Sequence, residues 1–427
     1  MSRAYSRRTA FQLGLLPLGL AGCAADEKDD SVGDAGESNG GPEPEPTETE
    51  VTLFSWWVAP GEADALDALI AVHNVEYPNE KISNAAIASG EQARDVLDAN
   101  LKAGSPPDLF QENAYDMKAF LRDNPGGLTP LTELFDELGL RDVVVPQVID
   151  DITIDGEIYS MPVNIHRENA LHYNVQLFEE QGIEPPTTLD ELLEACETFK
   201  AAGITPIAMA NSGWILRLLF NGLASASMGA SAFYDYFSGE SELDETAMRD
   251  AIDLLGKVLD DYVNASASDE AFGWTDAADL VLKGEAAMFI HGDWAKGYFT
   301  QQGWEPGKRF GIVGMPGAQE LFLYGVDVFG LPTGAPHLEA AKHFLATVAS
   351  KAGQVAFNRI KGSSPIRLDT VVEDLDPVGQ QTLDDLRDAE LRMLTRSQDA
   401  WDMALAEYAV SRDADALLAA YVDNPPG

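Results

Sequence analysis

The amino-acid sequence predicts an α/β protein of two domains behind an N-terminal export segment. The chain has 427 residues, more than one hydrophobic core usually serves. Apolar residues make up 45% of it, which is typical of a globular protein. From residue 51 onward, strand-like and helix-like segments alternate, and this alternation favours mainly parallel sheets flanked by helices.

Residues 1–22 have the pattern of a signal peptide. Three arginines precede an apolar run over about residues 10–21, which is too short to span a bilayer. The run ends in the sequence LAGC, which resembles the bacterial lipobox, so Cys23 is predicted to be lipidated and to attach the protein to a membrane. An ordinary signal peptide followed by an unrelated cysteine is the alternative.

Residues 23–50 are predicted to form an acidic, disordered tether. After Cys23 this segment holds ten acidic residues, one lysine and no aromatic residue, a composition that cannot form a core. If Cys23 carries lipid, Cys196 is the remaining cysteine of the mature chain, and we expect it to be a small buried residue on a helix.

The charge balance excludes nucleic acid as a partner. Asp and Glu number 71 against 28 Lys and Arg, giving a formal net charge of −43 without the basic residues that phosphate contacts require. The six histidines match no zinc spacing, and no glycine-rich phosphate-binding loop is present. We therefore expect neither a metal nor a cofactor.

The ordered chain is predicted to begin with the strand VTLFSWW at residues 51–57, followed by alternating helices and strands at 62–77, 81–87, 91–103 and 108–110. A further helix is predicted between an N-cap at Thr188 and Gly203, and residues 165–290 are predicted to be mostly helical. Ligands of such sheets bind beyond the carboxyl ends of the strands.

Two adjacent tryptophans, Trp56 and Trp57, end the first predicted strand. Neighbouring residues on a strand point to opposite faces, so one core cannot bury both rings. One indole is expected to pack into the core, and the other is expected to face away from that core.

A series of short motifs, in order, resembles the family 1 extracellular solute-binding proteins of sugar ABC importers, most closely the glucose/mannose-binding members. The motifs are FSWW, GSPPDLFQ, GGLTPLTELFDE, DGEIYSMPVNIHRENALHYN, PPTTLDEL, DLVLKGEAAMFIHGDWAKGY, FGLPTGAP and IKGSSPIRLD. Together they extend over most of the chain.

The resemblance implies a two-lobed, periplasmic-binding-protein-like fold of type II, with a cleft between lobes that are each a mainly parallel sheet flanked by helices. The expected lobes are residues 51–162 with 293–362, and residues 163–292 with 363–427. It also implies a lipid-anchored, extracytoplasmic, monomeric binding protein, not an enzyme. Such a protein captures a monosaccharide, here glucose or mannose, and delivers it to an ABC permease.

A sugar needs hydrogen-bonding groups around its rim and flat apolar surfaces against its C–H faces. An unpaired buried hydroxyl costs roughly 1–3 kcal/mol, and carboxylates and amides can pair with neighbouring hydroxyls. The expected ligand-binding residues are Trp56, Trp57, Glu62, Gln111, Asn113, Asn164, His166, Trp214, Asp293, Trp294, Asp327 and Lys361.

Each candidate on the early part of the chain has a structural alternative. Trp57 is the preferred stacking residue and Trp56 its alternative. Glu62 fits both a sugar acceptor and a helix-N-terminal acid, and Gln111 and Asn113 fit both sugar contacts and caps of the next helix.

The later candidates are weighed in the same way. Asp293 and Lys361 resemble an aspartate and a lysine that bind sugar in relatives, although Lys361 also fits a solvated surface residue. Trp214 competes with Trp274 as the stacking residue of the second lobe, and Trp294 fits both stacking and packing.

His166 and Asn164 lie where the chain is expected to cross between lobes, and an isolated histidine is often structural. Asp327 is a further possible partner of the ligand.

Two other functions remain open. Carboxylates such as Glu62, Glu112, Asp293 and Asp327 could flank a glycosidic bond, but nothing in the sequence sets a pair at catalytic distance. The same fold could also bind an oligosaccharide, a polyol or another solute, or serve as the ligand receptor of a signalling partner.

Overall fold

The computed structural model describes residues 48–87, 90–269, 271–396 and 398–426. The predicted signal peptide, Cys23 and the tether up to residue 47 lie outside the described residues. Within the described ranges, none of the helices has both the length and the apolar character needed to cross a membrane.

The strands of the described chain are short and spread over its whole length. They are β1 (Thr49–Ser55), β2 (Glu80–Ala86), β3 (Leu109–Asn113), β4 (Thr153–Ile154), β5 (Glu157–Ile158), β6 (Ser160–Pro162), β7 (His166–Arg167), β8 (Ala170–Asn174), β9 (Thr205–Ala208), β10 (Ala286–His291), β11 (Phe310–Gly314), β12 (Leu321–Gly325), β13 (Asp327–Gly330) and β14 (Leu391–Leu394).

The helices occupy most of the remaining sequence. They are α1 (Glu62–Glu76), α2 (Gly90–Lys102), α3 (Ala114–Asp123), α4 (Thr132–Glu137), α5 (Pro146–Ile152), α6 (Val175–Gln181), α7 (Leu189–Ala201), α8 (Gly213–Met228), α9 (Ala230–Ser238), α10 (Glu245–Asp261), α11 (Trp274–Leu282), α12 (Ala295–Gln301), α13 (Leu338–Ala349), α14 (Lys351–Lys361), α15 (Pro377–Asp388), α16 (Asp399–Ser411) and α17 (Ala414–Asp423). Short 3-10 turns lie at Leu140–Asp142, Ala265–Ser268 and Val372–Asp374.

Local sequence signals place several elements correctly. α7 begins at the predicted N-cap Thr188, whose hydroxyl accepts from the Glu191 backbone while the Glu191 carboxylate accepts from the Thr188 backbone. Cys196 is buried on this helix as expected. β1, however, begins at Thr49, so the last two residues of the predicted tether belong to the sheet.

The sheets are mixed, which confirms the α/β class but corrects the expectation of mainly parallel strands. A five-stranded sheet has the order β2-β1-β3-β13-β6, and only its first three strands are parallel. A four-stranded sheet has the order β11-β8-β10-β9, where β9 and β10 are the parallel pair. In the five-stranded sheet β13 runs against both of its neighbours, and in the four-stranded sheet β8 runs against both of its neighbours.

Two hydrophobic cores organise these sheets. The first core surrounds the five-stranded sheet with α1, α13 and α14, and the second surrounds the four-stranded sheet with α7, α8, α10 and α11. A three-stranded sheet, β14-β12-β7, joins them, since Phe322 and Tyr324 of β12 pack in the first core and Leu321 and Leu323 in the second.

The cores divide the chain at places other than the predicted lobe boundaries. Ala295, Phe299 and Phe310 pack in the second core, whereas they were expected in the first lobe. Ile366 and Leu383 pack in the first core, whereas they were expected in the second lobe. The sequence pattern does not reveal these crossings, because each segment is equally apolar on either side.

Candidate functional site

A buried charge cluster, Asp293–His166–Asp327, lies where the sheets meet. His166 begins β7, Asp293 follows β10 of the second core, and Asp327 begins β13 of the first. His166 Nδ1 lies 2.5 Å from Asp293 Oδ1, and its Nε2 lies 3.1 Å from Asp327 Oδ2. All three side chains are at least 93% buried, so the contacts are shielded from water.

Amide groups complete the hydrogen bonding of Asp327. Gln111 Nε2 donates to Asp327 Oδ1 at 3.2 Å, and Asn164 Nδ2 donates to Asp327 Oδ2 at 2.8 Å. Asn164 also accepts from the Asp327 backbone at 2.9 Å. The predicted residues Gln111, Asn164, His166, Asp293 and Asp327 therefore form one network.

The pKa values of His166 and Asp327 are both shifted towards the charged form. Burial acts to lower the pKa of His166, but the neighbouring carboxylates of Asp293 and Asp327 outweigh it and raise the pKa to about 9. Burial acts to raise the pKa of Asp327, but the hydrogen bond and charge of His166 lower it to about 2. An imidazolium cation thus lies between two carboxylates, each with lone pairs left to accept further hydrogen bonds.

Glu62 and Lys361 form a second buried ion pair. Glu62 is the first residue of α1 and Lys361 the last of α14, and Lys361 Nζ lies 2.5 Å from Glu62 Oε1. Lys361 is 2% exposed, so the prediction of a solvated surface lysine is wrong. Its ammonium group also lies 5.4 Å from the ring centroid of Trp57.

Three glycines allow these segments to approach one another. A Cβ on Gly61 would lie 2.7 Å from the Gly297 backbone, and one on Gly297 would lie 2.6 Å from the carbonyl oxygen of Ile360. A Cβ on Gly362 would lie 2.8 Å from the Asp293 carbonyl oxygen. Gly61 precedes Glu62, Gly362 follows Lys361, and Gly297 lies one turn after Asp293, so the bare backbones bring Glu62, Lys361 and Asp293 together.

One tryptophan of the pair packs in the core and the other is half-buried, but the buried one is Trp57, which was the preferred stacking residue. Trp57 is 1% exposed and packs against Phe329 and Phe357 in the first core, which corrects its choice as the stacking residue. Trp56 is the half-buried member, and its backbone N–H donates to Gln111 Oε1 at 3.2 Å. The Arg94 guanidinium lies 5.2 Å from the centre of the Trp56 ring.

Trp214 and Trp294 lie together on second-core elements. Trp214 opens α8 and is 36% exposed, and its ring centroid lies 6.3 Å from that of Trp294. Trp294 contacts the His166 ring edge-on at 5.0 Å, which links the indoles to the charge cluster. Trp274 opens α11 and lies 5.4 Å from His291, so it belongs to the same aromatic group and not to a separate packing site.

Asn113 stands apart from the network. Its amide donates to the hydroxyl of Tyr115 at 3.1 Å, and it makes no side-chain cap on α3, so the alternative role as a helix cap is not observed. Its backbone N–H donates to Glu112, whose carboxylate accepts from Arg94 at 2.6 and 2.8 Å.

The carboxylates considered for glycoside chemistry are each held by a cation. Glu62 pairs with Lys361, Glu112 with Arg94, and Asp293 and Asp327 with His166. A carboxylate with a cationic partner at hydrogen-bond distance is a strong hydrogen-bond acceptor. The arrangement suits hydrogen-bond acceptance.

A separate cleft of about 240 Å³ shares no residue with these groups. It is lined by residues of the segments around α5, α15 and β14, among them Val145, Leu368 and Arg387.

Sequence reasoning also missed His291 and Gly297, for which only their positions inside the HGDWAKG motif gave a signal.

Two α/β cores joined by a polar and aromatic cluster are the architecture of a two-lobed solute-binding protein. The chain belongs to the family described as bacterial extracellular solute-binding protein, which matches residues 59–355.

Individual proteins agree with this assignment. An uncharacterized ABC transporter extracellular-binding protein of Pyrococcus horikoshii is 34% identical over 366 residues, covering 83% of this chain and 80% of that protein. The xylose/arabinose-binding protein of Haloferax volcanii is 28% identical, covering 79% and 74% respectively. The solved structure of a chitin oligosaccharide binding protein superposes with a TM-score of 0.75 at 22% identity, covering 88% of this chain and 98% of that one.

Proposed function

We propose that this protein captures an uncharged monosaccharide, glucose or mannose, outside the cytoplasm and delivers it to an ABC permease. The observation that carries the proposal is the Asp293–His166–Asp327 cluster, which lies between the two cores and contacts Trp294. A ring of acceptors and donors next to indole faces is the chemistry that a sugar requires.

Each group has a role in this proposal. Sugar hydroxyls donate to the carboxylates of Asp293, Asp327 and Glu62, and accept from Lys361 and from the amide of Gln111. Trp56 covers one face of the sugar, and Trp214 or Trp294 covers another.

Binding is coupled to closure, because Trp56 and Glu62 belong to first-core elements and Trp214 and Asp293 to second-core elements. A ligand that bridges both sets stabilises the closed form more than the open one. A carbohydrate ligand is supported by the similarity to the xylose/arabinose-binding protein of Haloferax volcanii.

The test is a tryptophan-fluorescence titration of the purified full-length chain with glucose, mannose, xylose, maltose and glycerol. We expect a saturable change with glucose or mannose at lower concentration than with the others. A response to maltose or xylose alone would keep the carbohydrate function and replace the ligand. Absence of any response, with no change in thermal stability, would overturn the carbohydrate proposal in favour of another solute or a signalling role.

We further propose that Cys23 carries the lipid that holds the protein at a membrane. The support is the LAGC sequence after an apolar run and the acidic segment that follows it. Expression in a lipoprotein-processing bacterium should give an acylated N-terminal peptide by mass spectrometry and a protein in the membrane fraction. A Cys23→Ser chain that still sediments with membranes would contradict the lipid anchor.

A further inference from the structure

His291 lies at the centre of a group that we call the indole cluster, formed by His291, Phe289, Trp214, Trp274 and Trp294. It is the last residue of β10, two positions before Asp293, and it is 0% exposed. Two of its neighbours, Trp214 and Trp294, are the indoles assigned to the ligand above.

The two faces of the imidazole are covered by stacked rings. Phe289 lies 4.5 Å away at an interplanar angle of 22°, and Trp274 lies 5.4 Å away at 25°. The ring edge is therefore what faces Trp214 and Trp294, whose planes are both inclined by 75° at 5.4 and 4.9 Å. Edge-to-face contacts of this kind fix the relative orientation of the rings.

The imidazole nitrogens have an unusual environment. Among the described residues, neither nitrogen of His291 has a hydrogen-bond partner. Burial, reinforced by His172, lowers the pKa of His291 well below its usual value, while the adjacent Gly292 backbone acts in the opposite direction. Burying a neutral ring with unpaired nitrogens is unfavourable, a penalty that phenylalanine would avoid.

The backbone next to His291 also constrains the Trp294 ring. A Cβ on Gly292 would lie 1.9 Å from the Trp294 ring, so that ring folds directly against the glycine. Trp294 is thereby confined between the Gly292 backbone, the edge of His291 and the ring of His166.

We propose that His291 is a positioning residue of the carbohydrate site, whose polar ring edge holds the Trp214 and Trp294 indoles at the angle required to stack on an uncharged sugar. The inference rests on the function proposed above and extends it to a residue that does not itself touch the ligand. Both indoles are inclined by 75° to the imidazole, so a change of this ring would alter how they are held.

The test compares His291→Phe with His172→Phe in the full-length chain. His172 is also 0% exposed and bonds the Phe289 carbonyl through Nδ1, and its ring contacts Phe289 and Phe299 at inclined angles. For His291→Phe we expect thermal stability equal to or above wild type, altered tryptophan bands in near-ultraviolet circular dichroism, and affinity for the monosaccharide reduced at least about fivefold. His172→Phe should keep affinity within about twofold.

His291→Gln is a second variant, for use if His291→Phe does not fold. It keeps polar atoms but loses the ring, so it should also weaken binding. Wild-type affinity in either His291 variant would overturn the positioning role while leaving the carbohydrate function intact. An equal loss in His172→Phe would overturn it as well, because the effect would then be general to the core. A wild-type protein that binds no carbohydrate would refute the function itself.

Discussion

Replacing His166 with glutamine removes the cation between two buried carboxylates, and the effect on stability should depend on pH. The pKa of His166 rises from 6.5 to about 9, which corresponds to about 3 kcal/mol in favour of the folded state. Because the folded-state pKa is the higher one, this contribution is complete below pH 6.5 and is lost as the pH rises through 9. About 2 kcal/mol of it disappears between about pH 7.5 and about pH 9.5.

The assay is urea unfolding of the full-length wild-type and His166→Gln chains over this pH range. The wild-type free energy of unfolding should fall by about 2 kcal/mol more than that of the variant. Burial raises the pKa of Asp116 to about 7 and that of Asp151 to about 6. Their contributions to the free energy of unfolding are therefore lost mostly below this pH range, and in both proteins. Parallel curves for the two proteins would refute the idea that His166 is held as a cation by Asp293 and Asp327.

Three further changes probe other parts of the molecule. Gly297→Ala places a Cβ 2.6 Å from the carbonyl oxygen of Ile360, so it should lower the free energy of unfolding by about 1–3 kcal/mol and weaken sugar binding, measured by urea unfolding and fluorescence titration. Trp214→Ala should lower sugar affinity at least about tenfold without unfolding the protein, as measured by calorimetric titration and circular dichroism. Because the chain carries a net charge of −43, its Tm should rise by at least about 5 °C between about 0.1 M and about 1 M NaCl as self-repulsion is screened, as measured by scanning calorimetry.

Each of these three predictions has a control variant or a result that would contradict it. Gly273→Ala, whose Cβ would meet nothing nearer than 3.7 Å, should be close to neutral, and an equal loss there would refute the close-approach argument. Trp304→Ala removes a tryptophan that contacts Phe299 and Arg309, away from the cluster, and should leave affinity unchanged. A Tm that falls or stays level with salt would contradict self-repulsion as a limit on stability.

Local signals were enough to predict many elements. The cap at Thr188 and the break at Pro78 set the limits of α7 and α1, because both act through the backbone of their own segment. One buried and one half-buried tryptophan were expected from strand geometry, but β1 ends at Ser55 and both tryptophans lie just beyond it. Which of the two is buried did not follow from the sequence, because it depends on Phe329 and Phe357 from far along the chain.

The site itself depends on contacts between distant segments. His166 bonds partners 127 and 161 residues away, and a pattern confined to one segment contains no information on such contacts. The resemblance to a known family supplied the residue types but not their network. It also gave no reason to single out Gly297 or His291, whose roles follow from backbone approach and ring geometry.

The most direct test of the central claim is hydrogen–deuterium exchange of the full-length chain with and without the monosaccharide that saturates the fluorescence titration. The account predicts added protection concentrated in residues 54–62, 109–113, 213–217 and 291–297, which carry the aromatic and charged groups from both cores. Protection confined to the cleft lined by Val145, Leu368 and Arg387, or none at all in these four segments, would contradict it.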